Sequence, residues 1–88
     1  MGTGAVRVGV DEAGGVITGN LAPSVFVNGS PIGVVGAGVA GHGVGAHAGP
    51  VMVGSSATVL AEGKLVCRAG DKANCTHSAS GSSNVLIG

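Results

Sequence analysis

The chain has no tryptophan, no tyrosine and a single phenylalanine, Phe26. Aromatic rings supply the largest buried areas in ordinary cores, so any core here must rest on Val, Ala, Ile, Leu and Met. Charge is equally scarce: Arg7, Lys64, Arg68 and Lys72 balance Asp11, Glu12, Glu62 and Asp71, for a formal net charge of +0. That balance excludes the electrostatic footprint of a nucleic-acid binder or of a protein held on anionic lipid. No apolar stretch reaches the roughly 20 residues a helix needs to cross a bilayer, and the run from Ile32 to Ala40 is dense in glycine. The opening MGTGAVRVGVDEAGG lacks a charged segment leading into an apolar one. No signal peptide is therefore predicted, and synthesis in the cytoplasm is expected.

What is present argues for a folded body. At 44% apolar and 9% charged residues the chain is far from the composition of disorder. Residues 1–88 make a single domain, and chains this short bury only about 60% of their unfolded surface. The 19 glycines add no side chain to bury and lose the most backbone entropy on ordering. A small domain of this kind needs a staple, whether a metal, a disulfide or a permanent partner.

Helical periodicity is missing, and each glycine in a helix would cost about 1 kcal/mol relative to alanine. Short β-branched runs remain, at Val16–Thr18, Val25–Val27, Val51–Val53, Val59–Ala61 and Val85–Ile87, separated by the turn-forming NGSP, AEGK and GSSN. An all-β fold is predicted. Superposing the segments exposes a repeat: VITGNLAPSVFVNG, then VMVGSSATVLAEG, then SASGSSNVLIG. In the first two copies the frame continues, so that Val25, Gly29, Ile32 and Gly36 match Val59, Gly63, Val66 and Gly70. Arg7 and Gly9 stand like Arg68 and Gly70, so the chain starts and ends within a copy. Three like units that cannot bury their apolar faces alone predict a pseudo-threefold body, suited to a true threefold axis.

Chemistry is concentrated in two local pairs, His42 with His47 in GHGVGAHAGP and Cys75 with His77 in CTH. Neutral imidazoles and a thiolate from two loops can close a tetrahedral zinc site. The spacing is not that of a zinc finger, and it leaves open a reading of the histidines as surface turn residues. The demand for a staple favours metal, because a structural zinc contributes on the order of 10 kcal/mol of apparent folding free energy. Cys67 competes with Cys75, either as a ligand or through a disulfide. It occupies the small-residue position of Gly33 in the repeat and is expected to be a buried thiol. Gly36, Gly38 and Gly41 match G-x-G-x-x-G without the following helix that a dinucleotide site requires. A zinc hydrolase or toxin would need an open metal position with Glu12 or Asp71 as general base.

The frame in VNGSPIGVVGAG and AEGKLVCRAGDK resembles the PAAR-repeat family, the conical tips of type VI secretion spikes and contractile phage tails. Asn28, Gly29, Pro31 and Gly36 are kept in one copy, and Gly63, Arg68, Gly70 and Asp71 in the other. The Pro-Ala-Ala-Arg word itself is absent, its place taken by Pro31-Ile32-Gly33-Val34 and Leu65-Val66-Cys67-Arg68. The resemblance implies a small conical all-β fold with a structural Zn2+ near the apex. Many members carry a histidine before the first Gly-Gly, where this chain has Ala13-Gly14-Gly15. His77 is expected to replace it, giving the ligand set His42, His47, Cys75 and His77. The implied partner is a trimeric β-helical spike, a VgrG protein or a phage central spike, bound at one chain per trimer. The strand residues Val25, Val27, Val59, Val85 and Ile87 are the expected contact. The implied role is structural, at the tip of a secretion spike or virion tail that contraction drives outward through a target membrane. An adaptor that attaches effectors to the spike is the other role in keeping with the family.

Overall fold

Asn28 and Gly29 both have positive φ, 52° and 83°, and Glu62 and Gly63 repeat the pattern at 51° and 79°. Two successive residues of this hand close a two-residue hairpin whose twist matches that of its strands. In the computed structural model of the chain, which describes residues 3–87, these turns join β4 (Phe26–Val27) to β5 (Ser30–Pro31) and β6 (Leu60–Ala61) to β7 (Lys64–Leu65). A third ribbon has the same register but pairs the two ends of the chain. In it β1 (Thr3–Gly4) lies antiparallel to β8 (Leu86–Ile87), with Thr3 opposite Ile87 as Ser30 is opposite Val27 and Lys64 opposite Ala61. A fourth ribbon, β2 (Glu12–Ala13) with β3 (Gly15–Val16), turns at Gly14. One 3-10 turn, Gly45–His47, is the only helical segment among the described residues.

The strands are two residues long because the chain leaves each ribbon to bond with the next. Val6 N–H donates to Cys67 C=O (3.2 Å), Cys67 N–H to Gly33 C=O (2.9 Å) and Gly33 N–H to Val6 C=O (2.8 Å), a ring closed on itself. A second ring links each ribbon to the next, from Val8 to Pro31, Val35 to Leu65 and Ala69 to Gly4, and a further bond extends each ribbon by itself, Ile32 to Val25, Val66 to Val59 and Ala5 to Val85. The two rings, with the three ribbons they join, make the predicted repeat a pseudo-threefold barrel of backbone hydrogen bonds. The predicted strand at Val51–Val53 enters only through single pairings, Val51 with Gly38 and Met52 with Ala73. That predicted at Val16–Thr18 begins one residue earlier, with Gly15.

Two apolar cores follow the axis. The lower one, among the three ribbons, gathers Ala5, Ala22, Val27, Ile32, Val34, Ala61 and Val66. The upper one gathers Val6, Ile17, Val39, Met52 and Cys67 and runs through Ala13, Ala73 and Ala79 to Cys75. Phe26, the chain's single ring hydrocarbon, is in neither and is 60% exposed. The body is elongated, 34 × 24 × 21 Å.

The units differ where charge enters. Arg7 clasps Asp11, its Nε 2.8 Å and Nη2 3.0 Å from the carboxylate, which also accepts the Arg7 N–H and the Ser80 hydroxyl. Arg68 and Asp71 repeat the clasp, while the middle unit has buried Val34 and Ala37 in those places. Burial alone would push the Asp11 carboxyl up, but the donors from Arg7 and Ser80 outweigh it and hold it below 3.8. A lowered folded-state value means that this stabilisation is complete above the ordinary carboxylate range and is lost as pH falls through the lowered value. Asp11→Asn is therefore expected to lose about 1–3 kcal/mol at pH 7. In urea titrations the deficit against wild type should shrink as the pH falls below 3.8. A deficit independent of pH would assign the effect to packing.

Candidate functional site

The ribbon axis ends in three loops, and two of them carry the four chemically distinctive side chains. His42 N–H donates to His47 C=O (2.8 Å), and His47 N–H to Val44 C=O (3.2 Å), so the 3-10 turn folds both imidazoles to one side. In the second loop Ala73 N–H donates to His77 C=O (3.0 Å) and Thr76 N–H to Ala73 C=O (3.0 Å), with Thr76 at φ 73°. That tight turn presents Cys75 and His77 together. The loops are joined by Asn74, whose N–H donates to Val51 C=O and whose side-chain oxygen accepts the Val51 N–H.

The four sequence-predicted ligands converge: one donor atom from each of His42, His47, Cys75 and His77 lies within 4.8 Å of all the others. His42 Nε2 is 3.0 Å from His77 Nδ1, 3.2 Å from His47 Nδ1 and 3.6 Å from Cys75 Sγ. Cys75 Sγ is 3.5 Å from His77 Nδ1. An ion bonded tetrahedrally to imidazole and thiolate at about 2.0–2.3 Å sets its donors about 3.3–3.7 Å apart. The three rings surround the centre as a propeller, with interplanar angles of 61°, 66° and 58°.

Tautomers make the case for a cation. His42 Nδ1 lies 3.0 Å from Ala40 C=O, an acceptor only, so Nδ1 carries the proton and Nε2 of the neutral ring has a lone pair. One lone pair cannot serve three neighbours as a hydrogen-bond acceptor. A metal ion at the point where the lone pairs meet satisfies all four groups, and a carbonyl behind a ligating ring is the usual means of orienting it. These four residues form the candidate metal-binding group.

Cys67 is outside the cluster and buried, its backbone part of the threefold ring, and the repeat frame predicted a buried thiol there. Burial, reinforced by the Asp71 carboxylate, pushes its thiol up to about 12, so it stays protonated at neutral pH and is a poor ligand. Both cysteines are free thiols.

The five predicted contact residues are distributed differently. Val25, Val59, Val85 and Ile87 are half-buried and pack on the lower core, whereas Val27 is 3% exposed and belongs to that core. Val27 thus faces the core rather than the surface, because alternate strand residues face opposite ways. The same alternation turns Phe26, Leu60 and Leu86 outward, at 60%, 59% and 56% exposure. Sequence reading pointed to the strands VFV, VLA and VLI but did not single out these middle residues, one of which is the chain's lone phenylalanine. They occupy one position in each of the three ribbons, which enclose the lower core rather than the upper one that runs to Cys75.

A family model described as the PAAR motif matches residues 41–88, more than half of the chain and a span that holds all four clustered ligands. No curated protein matches the sequence.

Removing the metal should be felt throughout so small a fold. Wild-type protein purified without added metal is expected to hold about one ion per chain, and chelation to lower its Tm, by about 4–8 °C for each kcal/mol lost. Cys75→Ala should bind no stoichiometric metal, and Cys67→Ala should retain it. Metal retained by Cys75→Ala and lost from Cys67→Ala, in elemental analysis, would reverse the assignment.

Proposed function

We propose that this chain, which belongs to the PAAR-motif family of spike-tip proteins, caps and sharpens a trimeric β-helical spike, with a structural zinc holding its narrow end. The observation that carries this reading is the ring of Phe26, Leu60 and Leu86, exposed apolar side chains at equivalent places in three like ribbons. A trimer presents three equal strand ends around its axis. One chain with three near-equal lobes can meet all of them, covering apolar surface and unpaired strand edges together. A lone apolar side chain on a surface needs no explanation; three related by the body's own symmetry suit a symmetric partner.

At the other end the three imidazoles and one thiol suit zinc better than a hard cation. Four protein donors make a closed structural set rather than a catalytic one, which leaves a position for water. His42, His47 and Cys75 with His77 would hold the ion and so tie the 42–47 loop to the 73–77 turn, where few side chains are available to pack. The role is mechanical: a stiff, nearly uncharged point that a VgrG protein or a phage central spike carries through a target membrane. The protein would be made in the cytoplasm and leave it on the spike.

Co-expression with a trimeric β-helical spike fragment tests the reading. Native mass spectrometry is expected to give one chain per trimer, and Leu60→Asp or Phe26→Asp to weaken binding by more than about tenfold, as loss of a central apolar anchor does. Three chains per trimer, or undiminished binding by both variants, would sink the proposal.

A further inference from the structure

The third loop at the metal end, the β2–β3 hairpin, contributes no donor to the cluster, yet its backbone lies against it. A Cβ built on Gly14 would be 2.5 Å from His42 Nε2, 2.5 Å from His77 Nδ1 and 2.8 Å from His42 Cε1. Carbon and nitrogen stand this close only when both are bonded to one common atom, and side chains in contact essentially never come under 3.0 Å. The two nitrogens named are themselves 3.0 Å apart and belong to the candidate ligand set, so the added carbon would crowd the space between two donors.

Gly14 also has φ +87°, which by itself favours glycine. Backbone conformation does not account for the crowding, however. Gly63 has φ +79°, and a Cβ there would meet nothing within 4 Å. The two positions therefore share a backbone constraint and differ in what a side chain would strike.

We infer that Gly14 is a positioning residue of the metal centre: its missing side chain keeps clear the volume between His42 and His77, and its turn closes the side of the cluster that carries no ligand. This rests on the metal-binding reading of His42, His47, Cys75 and His77. It adds that the loop without ligands still sets whether the ligands can meet around an ion. Neighbouring bonds brace the hairpin for that task. Ala40 N–H donates to Val16 C=O (2.8 Å), Ser80 N–H donates to Glu12 C=O (3.0 Å), and the Ser80 hydroxyl accepts the Glu12 N–H (3.2 Å).

The test compares wild type, Gly14→Ala and Gly63→Ala, each titrated with Co2+ and then Zn2+ against a chelator of known affinity. A chemically synthesised chain with D-alanine in place of Gly14 is the fourth sample; it suits positive φ and puts its methyl on the opposite side of the backbone. Gly63→Ala and the D-alanine chain are expected to bind one ion with wild-type affinity and to give the intense visible Co2+ bands of a tetrahedral thiolate site. Gly14→Ala is expected to bind at least 100-fold more weakly and to lose those bands. Gly14→Ala binding within threefold of wild type with an unchanged Co2+ spectrum would overturn the inference. Loss of metal from the D-alanine chain as well would overturn it too, by showing that any substituent breaks the turn. If Gly14→Ala does not fold, the D-alanine chain decides alone, retention of wild-type binding supporting the inference. A wild type that binds neither metal would overturn the metal-binding reading itself, and the inference with it.

Discussion

Three amide-to-carbonyl bonds, from Val6 to Cys67, from Cys67 to Gly33 and from Gly33 to Val6, close on themselves around the pseudo-threefold axis, so that displacing one strand disturbs the other two. Each segment is satisfied by its neighbours, and none is free to form an extended sheet of its own. The strands are consequently short, and the chain passes from one ribbon to the next at nearly every turn. Room on the axis is limited. A Cβ on Gly33 would come within 2.6 Å of Val6 Cγ1, and the third member of the ring is the small Cys67. The composition follows from this geometry: valine and alanine line the axis, and the single large ring, Phe26, is outside.

Such a barrel has two ends with different needs. At the ribbon end, hairpin turns and cross-strand packing supply the order, and Val25, Val59 and Val85 seal the lower core. At the other end the loops are rich in glycine and offer little to pack, and it is here that imidazoles and a thiol converge. Metal coordination is strong and directional and needs few atoms, so it suits a point where hydrophobic burial gives least. Deviations from threefold symmetry are confined to places that tolerate them. The Arg7–Asp11 and Arg68–Asp71 clasps have an apolar counterpart in the middle unit. Ser56 and Ser82 cap equivalent turns by accepting backbone N–H groups, where the same middle unit has Ala22.

The placement of the two ends relates form to the proposed work. A body pushed point-first through a barrier is loaded along its axis, and the closed rings pass that load around three strands rather than along one.

Much of this was legible in the residues themselves. The turn dipeptides Asn28-Gly29 and Glu62-Gly63, the threefold repeat and the all-β character follow from local chemistry, which neighbouring residues decide. So did the pairing of His42 with His47 and of Cys75 with His77, and the exclusion of Cys67 by its small-residue frame. Other features required the tertiary structure because they join residues distant in the chain. The 3.0 Å approach of His42 to His77 is one, and the placing of the Gly14 backbone where a Cβ would strike both is another. Which residue of each VFV-like triplet faces outward also depended on where the axis lies, since alternation sets opposite faces but not which one is buried. Local sequence determined the units; only closure of the backbone rings decided what each unit would face.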